Sequence, residues 1–441
     1  MKKTILALAG LLLASATAQA QWVLQPYSFS NSYLTPFYLD AVDANVVWSA
    51  GLDVYDGEGG DEVAHTSNGG TTWATTAISN LSADEVITGV AGLSATTALV
   101  CTVDNGVGGG RILKTVDGGT TWTVQTTTSQ FATADSYPNG IAFFNATEGI
   151  CFGDPATGAG KFEIYRTTDA GATWVAVPSA NLPASQASEY GGINQVSMAG
   201  NSFWFATNKG RILGSVDKGL TWTVSDTNFG ATVPLISFRD AQNGIALNTN
   251  TGAMLATTNG GSTWSPVSYT GPLHGFALHN VPGSNTYLSV GLDSDAGSSF
   301  SRDNGVTWTA IESTLNHVSV DVVSPTVAWS STYNAADLSG LGVYKLTSTA
   351  LGTRQNVALQ QGLSVYPNPS ADGQFTVAMA QGRPAEAQVT VFDALGRSVY
   401  TRTVATAAPT FTIDLGRQAL GVYTMQLRTE GGVAQQKLVI K

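Results

Sequence analysis

The side chains with chemistry to offer are mostly carboxylates, and they gather in short Gly-containing stretches. The run Asp53-Val-Tyr-Asp56-Gly-Glu58-Gly-Gly-Asp61-Glu62 places Asp53, Asp56, Glu58 and Asp61 close together, with enough hard oxygens to hold Ca²⁺. It lacks the D-x-D-x-D-G spacing of an EF-hand loop, and a charged, solvated hairpin tip accounts for the same residues. Calcium is the one cofactor these residues could hold. Further acids recur along the chain: Asp104, Asp154, Glu189 beside Tyr190, Asp293 and Asp295, with Asp84, Glu85 and Asp135 in nearby segments. Two carboxylates facing one another across a cleft can cleave a glycosidic bond. Asp135, Asp154 and Glu189 could serve, but the spacing selects no pair, so no catalytic residue is assigned. The four histidines, His65, His274, His279 and His317, show no zinc spacing, and His274 and His279 are expected to flank a strand. Asp104-Asn-Gly-Val-Gly-Gly-Gly110 precedes a strand rather than a helix, so it does not cradle phosphate.

The elements that would position these acids are set by a repeat. Ser/Thr-x-Asp/Asn-x-Gly-x-Thr-Trp occurs six times, at Thr66–Trp73, Thr115–Trp122, Thr167–Trp174, Ser215–Trp222, Thr257–Trp264 and Ser301–Trp308. Successive tryptophans are 49, 52, 48, 42 and 44 residues apart, a period that suits propeller blades of four antiparallel strands. The acid or amide (Asn68, Asp117, Asp169, Asp217, Asn259, Asp303) can accept hydrogen bonds from nearby amides. The Gly two residues on can take positive φ. Each indole (Trp73, Trp122, Trp174, Trp222, Trp264, Trp308) can bury roughly 150–250 Å².

These motifs resemble the Asp boxes, or BNR repeats, of sialidases, sortilin-like domains and propellers similar to the photosystem II stability and assembly factor. The resemblance implies a fold and, because the boxes are structural in all those families, little chemistry. Sialidases carry three arginines on the substrate carboxylate and an Arg-Ile-Pro segment. This repeat region has five arginines, with Arg111, Arg166 and Arg211 expected on third strands, Arg302 in a box and Arg239 in a turn, and no Arg-Ile-Pro.

Seven inner strand pairs can be followed, but only six boxes. The seventh blade has a third strand, Gly342–Thr347, and no box after it, whereas Gln21-Trp22-Val-Leu-Gln-Pro26 at the start resembles Thr173-Trp174-Val-Ala-Val-Pro178. Residues 22–30 are therefore expected to close blade seven, so that 21–347 form one ring. In such a ring the long acidic loops share one face and the boxes the other. Cys101 and Cys151 are expected to be buried and unbridged, because matching positions in successive repeats lie a blade apart.

Charge narrows the partners. Residues 21–350 hold 10 basic and 26 acidic side chains, net −16, which repels phosphate backbones and excludes nucleic acid as a partner. The ring of acids would attract a cation or a basic partner. Residues 1–20 read as a signal peptide, with Lys2 and Lys3, an apolar Ile5–Ala14 and Ala18-Gln19-Ala20 before cleavage. No apolar stretch is long enough for a transmembrane helix.

After a linker at 348–361 the composition changes to six or seven short alternating strands over 362–441, which fits a small Ig-like β-sandwich. Tyr366-Pro367-Asn368-Pro369, the Asp393–Arg397 turn with Gly396 and Arg397, Gly421-Val422-Tyr423 and the closing Lys437–Lys441 together resemble the type A sorting domain of the type IX secretion system. The resemblance implies export through the outer membrane of Bacteroidetes-type bacteria, with the secretion machinery as a partner and the cargo released or anchored at the cell surface. The reading is an all-β chain: a seven-bladed β-propeller of four-stranded blades, followed by an Ig-like β-sandwich. Its expected function is non-enzymatic binding of a glycan or a protein through the acidic loop face. The alternative is a glycoside hydrolase using carboxylates on that face.

Overall fold

The computed structural model describes residues 22–53, 59–156, 158, 160–334, 336–347, 362–379, 386–393, 398–405, 410–429 and 432–441. Asp56, Glu58, Gly396, Arg397, the signal segment and the 348–361 linker lie outside the described residues.

Seven four-stranded antiparallel sheets make a seven-bladed propeller, as the repeat predicts. The innermost strands are Leu34–Ala41, Glu85–Gly92, Pro138–Phe143, Gly191–Ala199, Leu235–Phe238, Ala277–Asn280 and Ser319–Ser324. The second strand of each blade is covered by a neighbouring blade on both faces, so it reads as a continuous apolar run instead of alternating. Ala98–Asp104 and Ser202–Thr207 are buried almost throughout.

Blade seven takes its outermost strand from the chain's beginning. Trp22–Pro26 pairs with the third strand, Gly340–Thr347, in the register Trp22↔Leu346 to Pro26↔Gly342. The strand stops at Pro26. Tyr27 then stacks on Trp73 with ring centroids 4.4 Å apart, and the Ser30 N–H donates to Glu62 of blade one at 2.9 Å. Trp22 is itself buried, its Nε1 donating to Ser298 Oγ of blade six at 2.8 Å and its ring 4.9 Å from His317.

Blades interlock through the boxes. Second strands reach the box glycine of the following blade: an added Cβ at Gly171 would lie 2.3 Å from Leu99, and at Gly219 2.4 Å from Ile150. A side chain at those glycines would therefore clash with a neighbouring blade as well as strain the turn.

The cysteines are buried and unbridged as expected, although the same register places them differently. Ala98 and Gly149 both pair with the leading Thr of their box, Thr115 and Thr167. Cys101 therefore matches Phe152, and Cys151 matches Val100. That one-residue offset turns the two side chains to opposite faces of successive blades, where they share one buried cluster. Both are free thiols, and burial together with contact from Cys101 pushes the Cys151 thiol well above its usual range.

The C-terminal unit is a sandwich of a three-stranded sheet (Leu363–Tyr366, Gln374–Met379, Thr410–Asp414) and a four-stranded one (Ser398–Ala405, Glu386–Phe392, Gly421–Thr429, Gly432–Ile440). Its core includes Phe375, Val389, Met425 and Leu438. The Tyr-Pro-Asn-Pro segment is tied to the last strand, because the Asn368 side-chain amide donates to the Lys437 carbonyl at 2.6 Å and its Oδ1 accepts from Val439 N–H at 3.0 Å. Tyr423 O–H donates to the Ala419 carbonyl at 2.6 Å.

Candidate functional site

Each box is a closed local network. The leading hydroxyl accepts the box glycine N–H, as in Gly171 N to Thr167 Oγ1 at 2.8 Å, and donates to the acid or amide, as in Thr167 to Asp169 at 2.8 Å. The same Asp oxygen accepts Thr173 N–H at 2.9 Å, and its second oxygen accepts the Thr173 hydroxyl at 2.6 Å. Asn68 and Asn259 keep the arrangement by donating Nδ2 to Thr72 and Thr263, each at 2.8 Å. The indoles of Trp122, Trp174, Trp222 and Trp308 donate back to their own box glycine carbonyl. Trp264 donates to Ser225, while Trp73 Nε1 has no partner and its ring stacks on Tyr27. These networks leave the boxes no free chemistry.

The acids expected on the loop face mostly organise their own loops. Asp104 accepts Gly106 and Val107 N–H at 2.9 and 3.0 Å and the Ser82 hydroxyl at 2.7 Å. Asp293 accepts the Tyr333 hydroxyl at 2.5 Å, and Asp295 accepts Gly275 N–H at 2.8 Å. Asp53 accepts from Asn31 Nδ2 at 3.4 Å, and the Asp61 carbonyl accepts Ile78 N–H at 2.9 Å. Glu189 is not presented to a ligand. Its side chain is fully buried, paired with Arg211 at 2.7 Å and accepting the Thr207 hydroxyl at 2.7 Å. Blade two repeats this device with Glu85, Arg111 and Thr102. Arg111, Arg166 and Arg211 lie on third strands. Among the described residues no group of three or more His, Cys, Asp or Glu is arranged to hold a metal ion.

Asp154 is the exception. It lines a cavity of about 1060 Å³ that runs between the inner strands of all seven blades. At its loop-side mouth Asp154 accepts Asn139 Nδ2 at 2.5 Å and Gly191 N–H at 2.8 Å, beside Tyr137 and the exposed Tyr190. Burial pushes the Asp154 carboxyl up to about 6, offset in part by those two hydrogen bonds.

The other end of the cavity holds residues that sequence reasoning passed over. Blades align on one pair between their first and second strands: Asp40↔Trp48, Ala91↔Leu99, Ala142↔Ile150, Ser197↔Trp204, Ser237↔Ile245, His279↔Leu288 and Asp321↔Trp329. Five of the first-strand residues, Asp40, Ala142, Ser197, His279 and Asp321, line the channel, near the turns that share a face with the boxes. Three successive blades, six, seven and one, carry His279, Asp321 and Asp40 there. The position also latches blade to blade: Asp321 accepts Ala41 N–H at 2.7 Å, Asp40 accepts Gly92 N–H at 2.5 Å, and Ser197 accepts Phe238 N–H at 2.8 Å. His279 Nδ1 lies 2.8 Å from the Asn280 carbonyl, so it carries the proton, and Nε2 faces Asp321 Oδ1 at 3.4 Å. Burial, then the neighbouring Asp321 charge, pushes the Asp40 carboxyl up to about 7. His279 lies within an inner strand, not at its flank.

Comparison with known proteins follows this division. Residues 364–441 match the family described as the secretion system C-terminal sorting domain. The chain is therefore cargo of the type IX secretion system, exported to the cell surface or beyond it. No helix among the described residues is long and apolar enough to cross a membrane. No curated protein matches the chain in sequence. Among solved structures, the chain is similar to YCF48 bound to D1 peptide (TM-score 0.52, 16% identity, 75% of this chain and 95% of that one). It is similar too to YCF48 from Cyanidioschyzon merolae (TM-score 0.53, 15% identity, 75% and 99%) and to U3-55K (TM-score 0.52, 9% identity, 75% and 99%). Likeness at these identities is likeness of fold.

Proposed function

We propose that the exported propeller is a non-enzymatic binding module that takes part of a glycan or a protein into the mouth of its central channel. The observation that carries this reading is the cavity of about 1060 Å³, whose walls combine Phe37, Leu39, Ile193 and Val320 with polar groups that include Asn139 and Asp154 at the loop-side mouth. A large concavity in which apolar walls surround convergent polar groups is the usual form of a ligand site. Asn139 and Asp154 are fixed by their mutual hydrogen bond, while Tyr190 is 51% exposed at the rim. An exposed ring beside a fixed carboxylate and amide suits stacking on a sugar or a peptide plane. Glycan-array and peptide-array binding to the full chain tests the reading. Tyr190→Ala is expected to weaken the best ligand by about tenfold or more, the loss of one well-placed anchor. Unchanged binding in that variant removes the mouth as the site.

Asp154 also supports a second reading. A carboxyl raised to about 6 is half protonated at mildly acidic pH and can act there as a general acid, with Glu163, which burial also raises, as an acidic neighbour whose charge it feels. Polysaccharide cleavage by the full chain, lost in Asp154→Asn, would establish a glycoside hydrolase. Binding without turnover would exclude it.

A further inference from the structure

The level of the channel occupied by His279, Asp321 and Asp40 is unlike the arginine-paired acid sites of blades two and four. Where Glu85 and Glu189 are buried, an arginine of the same blade lies against each. Taking a carboxylate out of water costs several kcal/mol unless it is paired, and those two are paired. Asp40 and Asp321 sit in adjacent blades, near enough for the Asp321 charge to disfavour the ionised form of Asp40. The nitrogen side chain their own chain places nearest is the His279 imidazole, whose Nε2 is 3.4 Å from Asp321. Among the described residues no lysine or arginine lines the cavity, whose other acid is Asp154 at the far mouth. Leu39, Val42, Phe276 and Val320 lie close in sequence to the three polar residues, while Asn145, Asn194, Gln195 and Thr249 line other parts of the wall. Phe276 is 36% exposed although it lies within the ring.

Two carboxylates with apolar side chains grouped around them are complementary to a long alkyl stem ending in a cation. Lysine and arginine side chains are the common biological form of that shape, with a stem that buries along apolar surface and a head that needs anions. We infer that the box-side end of the channel receives a lysine or arginine side chain of a protein partner, its head held between Asp321 and Asp40 and its stem against Leu39, Phe276 and Val320. The inference rests on the reading of the channel as a binding site and commits it to a basic peptide rather than a glycan. The raised Asp40 carboxyl gives the event a signature: a cation arriving beside Asp40 favours its ionised form. Binding then releases a proton near neutral pH and strengthens as pH rises from 6 to 8. The titratable groups facing Asp40 are Asp321 on the inner strand of blade seven and, beyond it, His279 on that of blade six.

The test uses the full chain and a blocked pentapeptide with one central arginine, compared with the same peptide carrying norleucine there. Calorimetry is expected to show the arginine peptide binding at least tenfold more tightly, with proton release detected by changing the buffer's ionisation enthalpy. Asp321→Asn should abolish the difference between the peptides, while Asp337→Asn, an exposed acid outside the channel, should leave it intact. If an asparagine variant fails to fold, the wild-type chain still decides, through displacement of the arginine peptide by pentylamine but not by pentanol. Equal affinity for the two peptides, or a difference that survives in Asp321→Asn, overturns the inference. Val320→Trp, which narrows the channel, separates the two levels of failure. If it abolishes binding of a glycan while no basic peptide binds, the channel reading stands and this inference falls. If it affects no ligand at all, both fall.

Discussion

At the scale of the residue, Asp169 and Asp40 show how position decides what a carboxylate does. Asp169 is an exposed group whose acceptors are all used, and hydrogen bonds from Thr173 hold its carboxyl down to about 2. Replacing it with Asn keeps the network that Asn68 and Asn259 already build, so Asp169→Asn should cost under about 1 kcal/mol by denaturant titration, the scale of one neutral hydrogen bond. Asp169→Ala leaves the Thr173 amide and two hydroxyls without their acceptor and should cost about 1–3 kcal/mol. Because the folded-state value is depressed, the stabilisation is present above the ordinary carboxylate range and is lost as pH falls through about 2. Asp40 has the opposite sign. Its value is raised to about 7, so the folded chain holds a proton that the unfolded chain has given up between about 4 and 7. Stability should fall as pH rises through that window. Asp40→Asn, which still accepts the Gly92 amide, should flatten the decline, and melting temperatures from pH 4 to 8 will show it. The boxes were legible because the hydroxyl, acid or amide, and glycine that bond to one another lie within eight consecutive residues of the sequence. The Asp40–Asp321 level was not, since Asp321 and Ala41 meet across a sequence separation of 280.

At the scale of the element, the strand that closes the ring is held by more than its ladder. Trp22 fills the space between blades six and seven, where its indole donates to Ser298, which in turn donates to Glu312 at 2.9 Å. Glu312 also accepts Thr314 and Leu315 N–H, each at 2.8 Å, and lies 3.1 Å from His317 Nε2. Burial and these partners oppose one another, and the hydrogen bonds prevail, bringing the Glu312 carboxyl down to about 2. Trp22→Ala removes both the packing and the donor, and should cost about 3–5 kcal/mol, the range for a buried Trp. Trp22→Phe keeps most of the volume and should cost less. Equal, small losses for both would show that the terminal strand does not hold the ring shut. The match of Gln21–Pro26 to Thr173–Pro178 made this pairing readable in advance. The inter-blade meeting of Cys101 and Cys151 was hidden, because aligning the cysteines with each other mistook the register by one residue, and one residue reverses the face of a strand.

At the scale of the whole molecule, the chain joins two units with different tasks and different charge. Residues 21–350 carry net −16, whereas 351–441 carry 8 basic and 5 acidic side chains, net +3. Each has its own core. The cluster around Phe375, Val389 and Met425 draws only on residues after 362, while the propeller closes on itself through Trp22–Pro26. Composition and motifs disclosed this division and the export it implies, since both are written locally. The occupant of the channel was not disclosed, because the channel is assembled from seven distant strands and its polar level is set by register. Independent cores predict separable behaviour. A chain ending at Thr347 should keep the propeller's melting transition, since no strand of the ring comes from the removed part. The same truncation should stop the protein from reaching the cell surface or medium, because it removes the sorting domain at 364–441. Fractionation together with calorimetry separates the two effects. A truncated propeller that melts earlier would show that the sorting domain also supports the ring, and one that is still exported would show that the delivery signal lies elsewhere in the chain.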